Sequence, residues 1–195
     1  MNWKAVALVA LVAVGAYQHQ TSRPVHPPAG VLVAEAPLQR TTEQPGFDFN
    51  GHQLQPSHTI SLQARVLGVE TYRFDRAASL SPVDLALGWG PMSDSAVLQH
   101  IDISQSGRFY FWRAKTLPVP QRDIERSSAN MHMIPADKAI ERQLKAVRVG
   151  QVVRIEGWLV EARGPQGLLW RSSLTRDDTG AGACELIFVR QLHVL

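Results

Sequence analysis

A single cysteine, Cys184, among 195 residues excludes an internal disulfide, and its distance from the amino terminus excludes a lipidated-cysteine anchor. The fold must therefore be held by packing. Charge is also sparse: 19% of the residues are charged, the formal balance is only +3, and no run of five or more like charges occurs. That argues against a polyanion-binding tail. No apolar run reaches the ~18 residues of a spanning helix, and no diagnostic catalytic or cofactor motif occurs. What remains is a chain with 45% hydrophobic residues, enough for one domain with a real core.

The amino-terminal end carries the clearest signal. Lys4 precedes an unbroken apolar run from Ala5 to Tyr17, about 20 Å of helix at ~1.5 Å per residue. That is short for a ~30 Å hydrocarbon core but suits the apolar stretch of an export signal. Val14-Gly15-Ala16 offers small residues for cleavage after Ala16, whereas Trp3 and Tyr17 bracket the run as interfacial aromatics bracket an anchor. Residues 1–17 are thus a signal peptide or a short membrane anchor. Either delivers the rest to the periplasmic side of an inner membrane, anchored or secreted.

Residues 18–56 contain Pro24, Pro27, Pro28, Pro37, Pro45 and Pro56, and are expected to be an extended or irregular tether, with 30–34 as an added edge strand. A single β-rich domain is expected over 57–195. Ile60, Leu62, Ala64 and Val66 alternate with polar residues, a half-buried strand continuing past a bulge at Gly68 to Phe74. Ser81-Pro82 with Asp84 and Gly88 predicts a short helix, and Ser93 with Asp94 opens a second. Residues 108–113 predict a strand, with Phe109 and Phe111 on one face and Arg108, Tyr110 and Trp112 on the other. That second face is a candidate stacking platform for a sugar or base, or else is covered by neighbouring helices. A short helix over 121–129, a loop over 128–135 holding Asn130 and His132, and a helix capped by Asp137 with an Ile140, Leu144 and Val147 stripe follow. The last third reads as three strands, 151–162, 168–174 and 184–195, with a bend at Gly157. The fold class predicted is mainly β (α+β): a small OB-like or similar antiparallel barrel with short inserted helices.

Two resemblances bear on this. Residues 149–157 resemble the opening strand of OB-type barrels. The segments 80–94, 108–113, 130–136 and 175–185 are similar to a family of uncharacterised small bacterial envelope proteins, and the likeness extends over most of the chain from about residue 59. It implies an N-terminal hydrophobic segment and one small domain, with no activity, cofactor or catalytic residue attached.

Three constellations carry chemistry. A thiol site would join Cys184 to His132, with Asn130 or Asp177 orienting the imidazole. Against it, Cys184 opens an apolar run where a cysteine serves as a small core residue. Asp177 and Asp178, with Gly180 and Gly182, have carboxylates in a glycine-bearing turn, but their spacing is wrong for an EF-hand, so a self-capping turn is expected and no metal or other cofactor. A nucleic-acid role would use Tyr110, Trp112, Trp158 or Trp170 for stacking and Arg154, Arg163 or Arg171 for phosphates; export and low charge oppose it. The reading favoured is a non-catalytic binding or assembly module of a bacterial cell envelope, partnered by an envelope protein or polymer and, if the leader is uncleaved, by the membrane. Its candidate ligand-binding residues are Trp89, Arg108, Tyr110, Trp112 and Trp158. A thiol-dependent hydrolase or transferase and an OB-type nucleic-acid binder are the alternatives.

Overall fold

The computed structural model describes residues 3, 6–9, 23–175 and 184–195. Strands β1 (Leu38–Thr41), β2 (Phe47–Phe49), β3 (His52–Thr71) and β4 (Val83–Gly88) lead to a 3-10 turn at Gly90–Ser93 and helix α1 (Ser95–Leu98). A hairpin of β5 (Asp102–Ser106) and β6 (Phe109–Arg113) precedes α2 (Gln121–Arg126), β7 (Ser128–Pro135) and α3 (Lys138–Ala146). The chain closes with β8 (Val152–Arg163), β9 (Leu169–Arg171) and β10 (Glu185–Val194).

Five strands form a ring of hydrogen bonds. β3 pairs with β4, β4 with β7, β7 with β10, β10 with β8, and β8 returns to β3. All these pairs are antiparallel except β7 with β10, which run parallel, so the sheet is mixed rather than purely antiparallel. The 20-residue β3 can serve two partners because it bends: its register shifts between Pro56 and His58 and again between Val66 and Gly68. A proline has no N–H for a ladder, and a bulge is where a strand tolerates one. β1 and β2 add to β3 outside the ring, and β9 adds to β8.

Alternation explains the core. Ile60, Leu62, Ala64 and Val66 of β3 turn inward with Val83, Leu85 and Leu87 of β4, Met131 and Met133 of β7, Ile155 and Leu159 of β8, and Ile187 and Val189 of β10. Ile140, Leu144 and Val147 of the α3 unit join the same cluster, and Asp137 starts that helix by accepting from Ala139 N and Ile140 N. The outer face of the ring is covered too. One apolar cluster, with Leu54, Ile134, Val160 and Phe188, lies partly under β2; another, with Met92, Ile101 and Ile124, packs against Tyr110 and Trp112 of the hairpin.

Several local expectations change. Residues 83–88, read as a helix, are strand β4: all six residues are buried, and a segment covered on both faces gives the same unbroken apolar run as a short buried helix. The loop expected over 128–135 is strand β7, also buried along almost its whole length. β3 ends at Thr71, so Phe74 lies in the following loop rather than in the strand. The second short helix does form, capped by Asp94, whose side chain accepts from Ala96 N at 2.7 Å. In the proline-bearing stretch the added edge strand is 38–41 rather than 30–34, though Val33 is buried and its N–H donates to Ser93 Oγ. Most of residues 1–17 lies outside the described residues; among those described, no helix is long and apolar enough to cross a membrane.

Candidate functional site

Cross-strand register assembles the site. Asp84 of β4 is opposite His132 of β7, which is opposite Leu186 of β10; Ala86 is opposite Asn130. Since Val83, Leu85, Met131, Met133 and Ile187 face inward, the residues between them face outward. Above this outer face is a cleft of about 1000 Å³. Its walls come from the loop between β3 and β4 (Phe74, Asp75, Arg76 and Ala77), the tip of the β5–β6 hairpin (Gly107, Arg108 and Phe109), and the connection from β8 to β10 (Leu168 to Ser172, and Cys184). His132 is the ring-strand residue in the lining. Phe74 is 98% exposed, Leu169 49% and Phe109 42%, an apolar rim that burial within the chain does not explain.

The floor is a buried polar network. Asp84 is fully buried, and Arg108 Nη1 donates to its Oδ1 at 3.1 Å. His132 Nδ1 lies 2.9 Å from the same oxygen, but its N–H points off the line of a good hydrogen bond. Tyr72 also hydrogen-bonds to Asp84; burial first, then the carboxylate, pushes its phenol well above the ordinary tyrosine range. Asn130 Nδ2 reaches Asp84 Oδ2 at 3.4 Å and donates to Arg108 O at 3.1 Å, while its Oδ1 accepts from Gln105 Nε2 at 2.7 Å.

Arg108 ties three elements together. Its Nε and Nη2 donate to the two oxygens of Asp75 at 3.0 and 2.8 Å, and Nη1 also donates to Ser81 O at 2.9 Å. The guanidinium stacks 3.8 Å from the Tyr72 ring centre and 5.4 Å from that of Trp170. The backbone is unusual here: Gly107 and Arg108 have φ of 58° and 73° in the two-residue turn joining Ser106 to Phe109. Such a turn needs left-handed backbone at both positions, which glycine adopts readily and arginine does not. The contacts of its side chain hold Arg108 in that conformation.

His132 and Cys184, predicted from sequence as partners, line one cleft. The group beside the imidazole is Asp84, not Asn130, whose amide is engaged elsewhere; Asp177 lies outside the described residues, as do Asp178, Gly180 and Gly182. Trp170 packs against the His132 ring at 4.6 Å between centres. With Nδ1 turned to Asp84, Nε2 is the ring nitrogen left to the cleft. Among the described residues no group of three or more His, Cys, Asp or Glu side chains could hold a metal ion.

Of the ligand-binding candidates, Arg108 alone lines the cleft. Trp89 is 3% exposed in the inner core. Tyr110 and Trp112 face the barrel rather than a ligand; Tyr110 Oη donates to Ser128 Oγ at 3.2 Å, and burial pushes its phenol up to about 12. Trp158 stacks on Phe188 at 5.7 Å beneath Arg190, away from the cleft. Trp89, Trp112 and Trp158 therefore share no cleft. Of the proposed phosphate and stacking groups, Trp170 and Arg171 line it, Arg171 paired with Glu161 at 2.6 Å. The sequence reading missed Asp84, Tyr72, Phe74 and Asp75. One available signal was the alternation of Asn130 and His132 with Met131 and Met133, which is strand periodicity.

No protein-family model, no curated protein and no solved structure matches the chain.

Proposed function

We propose that this chain is a binding module of a bacterial cell envelope, built on an OB-type barrel, and that its ligand seats in the cleft over His132. The position of the cleft carries the reading. Counting around the chain, β3, β4, β7, β8 and β10 are ring strands one to five, with α3 between the third and fourth. OB barrels are five-stranded Greek keys that take ligands on the face of strands two and three, between the loops joining strands one and two and strands four and five. The cleft lies on the outer face of β4 and β7, walled by those two connections. The apolar run Ala5 to Tyr17 and the likeness to small envelope proteins support a periplasmic setting, with an envelope protein or polymer as partner.

The lining points to the ligand's chemistry. Phe74, Phe109, Leu169 and Trp170 suit an aromatic or aliphatic group. Two of the three arginines in the lining are tied to carboxylates, Arg108 to Asp75 and Asp84, and Arg171 to Glu161, rather than left for a phosphate track. That disfavours the nucleic-acid alternative.

The test uses anilinonaphthalene sulfonate, a fluorescent probe with an apolar aromatic body and one sulfonate, titrated into the full chain. The native protein is expected to bind one equivalent, and Phe74→Ser and Trp170→Ala to weaken binding at least about tenfold with circular dichroism unchanged. Equal binding by the variants would overturn the cleft as the ligand site. Displacement of the probe by single-stranded oligonucleotide, but not by cell-wall fragments or apolar peptides, would replace this reading with the nucleic-acid one.

A further inference from the structure

We propose that Cys184, His132 and Asp84 form a nucleophilic relay in the cleft that takes an acyl group from an activated ester or thioester with an apolar acyl chain. The inference rests on the cleft being the ligand site and adds a reaction to it. Three observations from different parts of the chain converge.

The first is register. β7 and β10 run parallel with His132 opposite Leu186, and Cys184 is the residue just before β10. The thiol and the imidazole both line the cleft. The second is the state of His132. Its side chain is 4% exposed and packed against Trp170, with Nδ1 2.9 Å from the Oδ1 of a carboxylate with no exposure at all, though off the line of a good hydrogen bond. Asp84 Oδ1 accepts from Arg108 and lies beside His132 Nδ1, so a small turn of the imidazole would bring it onto a fully buried carboxylate able to hold the ring and stabilise its cation. The third is the wall: Phe74, Phe109 and Leu169 offer an acyl chain an apolar seat beside the thiol.

The chemistry balances without a cofactor. His132 Nε2 takes the Cys184 thiol proton as Sγ attacks the acyl carbonyl carbon, forming the S–C bond and a tetrahedral oxyanion. Collapse breaks the bond to the leaving oxygen or sulfur, which takes the proton from His132. Water, deprotonated by the same nitrogen, then releases the acid and restores the thiol; an amine or alcohol in its place would make the reaction a transfer. Cys184 and His132 are the catalytic residues, and Asp84 is a positioning residue.

The experiment uses the full chain and two probes. Iodoacetamide labelling of Cys184 across pH is expected to report a thiolate forming below the ordinary thiol range near 8.5, with the profile moving back toward it in His132→Gln. p-Nitrophenyl butyrate is expected to give a burst of up to one equivalent of nitrophenolate and a butyryl adduct on Cys184 by mass, both reduced at least about 100-fold in Cys184→Ser and His132→Gln. Labelling only on unfolding, an ordinary thiol profile, a profile unmoved in folded His132→Gln, or absence of the adduct would each overturn the relay. The native chain separates the two readings: one equivalent of anilinonaphthalene sulfonate bound beside an inert thiol removes the relay and leaves the binding module.

Discussion

Arg108 shows how much one side chain can decide. It sits at the tip of a hairpin in a backbone conformation unfavourable to arginine, yet it bridges two carboxylates and lies over the Tyr72 ring. Asp84 has no solvent to fall back on, so its charge depends on these partners. Arg108→Ala should therefore lower stability by about 3–5 kcal/mol, the range for removing one member of a buried pair. Arg108→Lys should recover little, because an ammonium cannot match the forked geometry. Urea unfolding of the two variants checks this. Arg108 was legible in the sequence as a candidate, but as part of an aromatic strand face. That Asp75 and Asp84 receive it was not, since 33 and 24 residues of chain separate them.

The β5–β6 hairpin is the element that carries Arg108, and its attachment follows strand periodicity. Tyr110 and Trp112 pack on the barrel, while Phe109 and Phe111 remain 42% and 49% exposed. The two-faced strand was visible in residues 108–113; which face meets a covering layer was decided by Met92, Ile101 and Ile124, brought in from other segments. Tyr110 anchors this packing and gives it a pH dependence. Its phenol is raised to about 12 in the fold, so between pH 10 and 12 the unfolded chain loses a proton that the folded chain keeps. Its contribution is complete below pH 10 and declines as pH rises through about 12. A shift of about two pH units corresponds to ~2–3 kcal/mol. The stability of the native chain relative to Tyr110→Phe should fall by that amount across the window, measured by urea unfolding at successive pH values.

At the scale of the molecule, ring closure depends on close backbone approach. Gly157 of β8 is opposite Val189, beside the register shift between Val189 and Gln191 of β10, and a Cβ there would collide with the Phe188 carbonyl oxygen. The bend expected at this glycine is thus met by a bulge in its partner strand. Gly157→Ala should cost about 1–3 kcal/mol, the usual penalty of overpacking, and should show as a lower urea midpoint. Hydrophobic periodicity placed β3 and β8, a cap and an apolar stripe placed the Asp137 helix, and an apolar run placed β10, because these signals are written in neighbouring residues. It misread β4 and β7, where burial on both faces erased or disguised the period. Those two strands hold Asp84, Asn130 and His132. Their union over one cleft was decided by tertiary structure, since strand pairing and register join residues that no local pattern connects: Asp84 with His132, and His132 with the approach to β10.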